Sequence, residues 1–110
     1  MRMLILAMLL AGSVSAEERA AYTWGAGGSS CGEWTEGRKG SNWHDEAQWI
    51  LGYLTADSYY RYLAEWPEAE ALDAVAVVTW MDNYCSENPL DLVRDAVREL
   101  VAELTRRKAE

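Results

Sequence analysis

Apolar residues recur every three to four positions through most of the chain, and they fall into four runs separated by glycine, proline or small polar residues. The first run is short. Cys31, Trp34, Thr35 and Arg38 share one side of a helix that Ser29 or Ser30 can cap, with Glu33 near its favourable dipole end and residues 37–40 closing it with two glycines. The second spans about residues 43 to 63 or 64. Asn42 offers its cap, with Asp45 third in a weak acidic version of the capping box, and Pro67 bars continuation past Trp66. Here Ala47, Ile50, Leu51, Leu54 and Ser58 form one face, and Trp49, Tyr53, Ala56, Tyr60 and Leu63 an adjacent one. Two such faces predict a central helix with several neighbours, and Gly52 with Ala56 predicts a close backbone crossing.

In the third run Asp73 can cap a helix whose Ala74, Val77, Val78, Met81 and Cys85 repeat on one face, with Trp80 and Tyr84 alongside. The β-branched stretch around Val75–Thr79 also permits a strand, but the three-to-four spacing favours helix. The fourth has the clearest pattern. Asn88 as cap, Pro89 first and Asp91 third predict a helix over 90–105, with Leu90, Val93, Val97, Leu100, Val101 and Leu104 buried. Arg94, Asp95, Arg98, Glu99 and Glu103 face outward there, and Asp91 with Arg94 and Asp95 with Arg98 make surface pairs. The expectation is an all-α, small single-domain bundle of about four helices over residues 30–106, followed by a polar tail, 107–110.

The N-terminus changes the setting. Arg2, the apolar run from Met3 to Ala11 and the small residues Val14-Ser15-Ala16 read as a signal peptide, residues 1–16, cleaved after Ala16. A leader, residues 17–29, follows, in which Tyr22-Thr23-Trp24 is briefly extended and Gly25-Ala26-Gly27-Gly28 loosens the backbone. No stretch approaches the ~20 apolar residues of a transmembrane helix, so no integral membrane association is expected. A periplasmic or secreted protein follows. In that setting Cys31 and Cys85, the two cysteines, are expected to form one intramolecular disulfide; two buried thiols, an intermolecular bridge or metal use are the alternatives.

Net charge is −8, and the one basic cluster, Arg106-Arg107-Lys108, lies where the last helix should end. That argues against nucleic acid as partner. Catalytic signals are thin: His44 is the sole histidine, no serine sits in a nucleophile elbow, and the acid pairs Glu33 with Glu36 and Asp82 with Glu87 lack a predicted cleft. No catalytic, metal or cofactor residue is assigned. The glycine cluster also lacks the dinucleotide-binding spacing.

Aromatic content is more informative. Six Trp and six Tyr with no Phe supply much ring surface with polar handles. They are too many around the second helix for one side to bury, so some should cover a protein partner, a second copy or the leader. The candidate binding residues are Trp43, Trp49, Tyr53, Tyr59, Tyr60 and Trp66, with Asp57 and Glu65 supplying direction and steering.

The segments Ser30-Cys31-Gly32-Glu33-Trp34, then 49–56, then Asn83-Tyr84-Cys85-Ser86-Glu87-Asn88-Pro89 together resemble the small bacterial periplasmic proteins related to HdeA-type acid-stress chaperones. They also resemble a neighbouring group of immunity proteins for toxins delivered by type VI secretion. The resemblance spans about residues 30–104. It implies a helical fold, a Cys31–Cys85 bridge and a possible homodimer. The chaperone type opens in acid, and protonation of 18 carboxylate residues would make this chain strongly positive. With Lys39 and Lys108 its only lysines, the chain departs from the lysine-rich character of that type. The expected function is therefore a nonenzymatic periplasmic protein-binding or inhibitory module of the immunity kind. An acid-stress chaperone and an accessory structural subunit are the alternatives.

Overall fold

A computed structural model describes residues 22–60 and 72–108 of the chain. The expected signal peptide, the first part of the leader, Glu65, Trp66 and the last two residues lie outside them. The described chain runs through a 3₁₀ turn, Gly25–Gly28, and four helices: α1, Cys31–Arg38; α2, His44–Tyr60; α3, Ala74–Glu87; and α4, Val93–Lys108. No strand occurs among the described residues, so the helical reading of residues 74–85 holds over the strand alternative. Cys31 and Cys85 are joined in a disulfide. Disulfides persist in oxidising compartments, and no described helix is long and apolar enough to cross a membrane.

The starts of α1, α3 and α4 find acceptors for their first backbone donors. Ser30 caps α1 by accepting from Glu33 N at 3.0 Å, while the Glu33 carboxylate accepts from Ser30 N at 2.9 Å. This reciprocal box fits the Ser-x-x-Glu spacing. The first two amides of α1 reach further along the chain: Cys31 N donates to Asp91 O at 2.7 Å and Gly32 N to Pro89 O at 3.1 Å. Val93 N in turn donates to Ser29 O at 2.8 Å, so the starts of α1 and α4 cap one another. Asp73 caps α3 as expected, accepting from Ala76 N at 2.8 Å.

The core collects Cys31 and Trp34 from α1, Ala47, Ile50 and Leu54 from α2, Val77, Met81 and Cys85 from α3, and Val93, Ala96, Val97, Leu100 and Val101 from α4. Two expectations change here. The most deeply set helix is α4, with α2 on its flank; Gly52 faces open space, so no close crossing occurs there. And α4 begins at Val93, because the carbonyls of Pro89 and Asp91 are turned onto α1; Leu90, expected in the core, is 94% exposed. At its other end α4 continues to Lys108, past the expected boundary at 106, and Glu103 pairs with both Arg106 and Arg107 one turn on.

Candidate functional site

The candidate binding residues of α2 divide into three groups. At its first turn Trp43 packs edge-on to the buried Trp34 ring, with centroids 6.3 Å apart, and the Arg38 guanidinium lies 4.5 Å over its face. The His44 ring lies tilted against it, with centroids 4.1 Å apart. Trp43, His44, Leu51 and Val75 border a groove of about 350 Å³ between α2 and α3.

Behind this groove lies a polar tie that the sequence analysis did not find. Asp82 on α3 accepts from Trp34 Nε1 at 2.9 Å and from Arg38 Nε at 3.0 Å and Nη2 at 3.1 Å. The bidentate pairing raises the Arg38 pKa above its ordinary value, chiefly through the hydrogen bond to Asp82. Asp82 and Glu33, noted as members of acid pairs, therefore hold α1 in place: one is clamped by Arg38 and the other closes the Ser30 box. The signal for this tie was present. Once Cys31 pairs with Cys85, Trp34 one turn on from Cys31 and Asp82 one turn back from Cys85 come to the same level.

The second group lies on the opposite flank of α2. The Trp49 indole donates from Nε1 to Trp24 O at 2.6 Å and lies against the backbone of the Gly25–Gly28 turn. Gly25 has φ +82°, a left-handed conformation open to glycine, and a β-carbon on Gly27 would overlap the Trp49 ring. The glycines, expected as loosened backbone, thus form a seat for one tryptophan. Tyr53, one turn on, stacks against Trp49 with centroids 5.5 Å apart. Tyr22 and Trp24 pair with centroids 4.9 Å apart. These four rings, Thr23, Arg94 and Arg98 line a groove of about 330 Å³.

Arg94 is not the outward surface residue expected. It is half-buried, its Nη1 donates to Thr23 Oγ1 at 2.8 Å, and its Nε is shut from water with no acceptor. Asp91, its expected partner, instead accepts from the Tyr84 hydroxyl at 2.6 Å. Arg98 is the looser neighbour, 3.8 Å from Asp95.

The third group is the end of α2, where Tyr59 and Tyr60 are 79% and 84% exposed and meet edge to face at 5.4 Å. Tyr60 continues the ridge that Trp49 and Tyr53 begin, and half-buried Asp57 stands one turn back from it. The structure thus places Trp49, Tyr53 and Tyr60 along one ridge and sets Trp43 apart. Among the described residues no group of three or more His, Cys, Asp or Glu side chains is placed to hold a metal ion. Compared with known proteins, the chain matches no protein-family model, no curated protein and no solved structure.

Proposed function

We propose that this chain is a nonenzymatic protein-binding module of the periplasm or another oxidising compartment outside the cytoplasm, and that it blocks a protein partner through the aromatic face of α2. The observation that carries this is the ridge from Trp49 and Tyr53 to Tyr60, with Tyr59 beside it: two adjacent tyrosines at the helix end are almost fully exposed. Tyrosine and tryptophan bring large contact area with few rotatable bonds, and they concentrate energy at protein interfaces. A chain of net charge −8 would draw a basic partner to that face.

Affinity capture from the native compartment at neutral and acidic pH, with wild-type protein and a Tyr59→Ser/Tyr60→Ser variant, tests the proposal. One stoichiometric partner at neutral pH is expected, with at least about tenfold weaker capture by the variant, the factor that ~1.4 kcal/mol of lost contact energy produces. Broad capture of many proteins only in acid would replace this function with the chaperone alternative. That alternative is favoured by one feature, the 18 carboxylate residues whose protonation reverses the charge of the chain.

A further inference from the structure

We propose that the groove between the Tyr22–Trp24 segment and α2 takes one carboxylate of a partner protein, an Asp or Glu flanked by apolar side chains, with Arg94 as its counter-charge. The inference rests on the protein-binding function proposed for the same side of the molecule and gives that partner a chemistry. Arg94 is held rather than free: Thr23 Oγ1 fixes Nη1, and Nε is enclosed. Among the described residues no carboxylate lies within ion-pair distance of it, and Thr23 is its sole hydrogen-bond partner. The two nearest acids along the chain are engaged elsewhere. Asp91 accepts from Tyr84, while Asp95 accepts from Leu92 N at 3.1 Å and faces Arg98. A held guanidinium that meets no counter-ion among the described residues and borders a groove lined by aromatic rings is suited to a carboxylate, because the charge-assisted hydrogen bond is the strong kind.

The walls define what accompanies the charge. Tyr22, Trp24, Trp49 and Tyr53 all border the groove, so a side chain next to the carboxylate meets aromatic surface, with Tyr22 and Trp24 largely exposed to receive it. Trp49 is already fixed by its bond to Trp24 O and by the glycine seat, so little ordering is required on binding. The net charge of −8 decides against a polyanion: nucleic acid or a polyphosphate would gain at Arg94 and lose over the rest of the surface. A single acid within an apolar segment avoids that repulsion.

The test uses the ¹⁵N-labelled full chain with its disulfide intact. The Nε–H signal of Arg94 and the indole N–H signals of Trp24 and Trp49 are followed while the capped peptide acetyl-Leu-Glu-Leu-amide, its Gln analogue or sodium acetate is added. Saturable shifts at all three signals are expected with the Glu peptide, with about tenfold weaker binding by the Gln analogue, the factor that ~1.4 kcal/mol of charge-assisted bonding produces. Binding should weaken as salt is raised. Arg94→Met, which keeps the apolar stem, should reduce the Glu peptide to the level of the Gln analogue. Should that variant not fold, Thr23→Val removes the hydroxyl anchor alone and is expected to weaken the Glu peptide severalfold.

Equal binding of the Glu and Gln peptides overturns the proposal, as does the absence of any shift. Acetate acting as well as the peptide overturns the peptide segment as occupant, and shifts that grow with protein concentration alone give the groove to a second copy. Capture of the neutral-pH partner undiminished in Arg94→Met overturns this site while leaving the protein-binding function standing, so the two fail separately.

Discussion

Tyr84 donates its phenolic proton to Asp91 and stacks on Trp80 with centroids 5.2 Å apart, so one side chain ties α3 to the turn before α4. The hydrogen bond to Asp91, helped by burial and by the nearby negative charges, pushes its pKa up from 10.0 to about 12. Ionisation removes the proton on which the bond depends. The folded state therefore keeps that proton to higher pH than the unfolded chain, and the stabilisation is whole below the unfolded value of 10.0 and is lost as pH rises towards about 12. Tyr84→Phe should be less stable by about 1–2 kcal/mol at neutral pH. Urea midpoints measured against pH should bring the two proteins together across that alkaline window; a constant gap would show that the hydrogen bond is not its source. Tyr84 was legible in the sequence as a residue beside the core face, but its acceptor was not. Asp91 was read as the third residue of a helix that begins two residues later.

With eight residues, α1 is too short to stand as an isolated helix, and its stability comes from what grips it. The Asp82 tie is the most vulnerable of these grips, since Trp34 is fully buried and its indole donor has no other acceptor among the described residues. Asp82→Ala should cost about 2–3 kcal/mol, because it strands a buried donor and releases Arg38, whereas Asp82→Asn keeps an acceptor and should cost less. Equal losses in urea denaturation would mean that Trp34 contributes through packing alone. The four helices and the caps at Ser30 and Asp73 could be read from periodicity and side-chain chemistry, which are local. The start of α4 could not, since Asn88-Pro89 has the form of a helix opening and only the distant amides of Cys31 and Gly32 claim its carbonyls. Arg94 was misread for a related reason. Helical spacing placed it among the outward-facing residues, and what holds it is Thr23, far away in sequence. Trp49 and Tyr53 were identified as aromatic candidates, yet the glycines that seat Trp49 looked like a linker.

For the molecule as a whole, the disulfide spans 54 residues and encloses α2 and most of α3. Constraining a loop of that length in the unfolded chain contributes about 4 kcal/mol by the chain-entropy account. A Cys31→Ala/Cys85→Ala protein should therefore show a much lower urea midpoint, and non-reducing intact mass of the wild type should show the two-hydrogen deficit of one bridge. A midpoint unchanged by the double substitution would indicate that the Asp82 tie and the paired helix starts suffice to hold α1. Those paired starts also bear on how the fold is closed. The residues of α1 come early in the chain, but two of its first amides find their acceptors at Pro89 and Asp91. Asp82 and Cys85 of α3 grip α1 from earlier in the chain, but its first turn is completed only once the turn from Pro89 to Asp91 has formed, so the opening of the fold is closed by its C-terminal part.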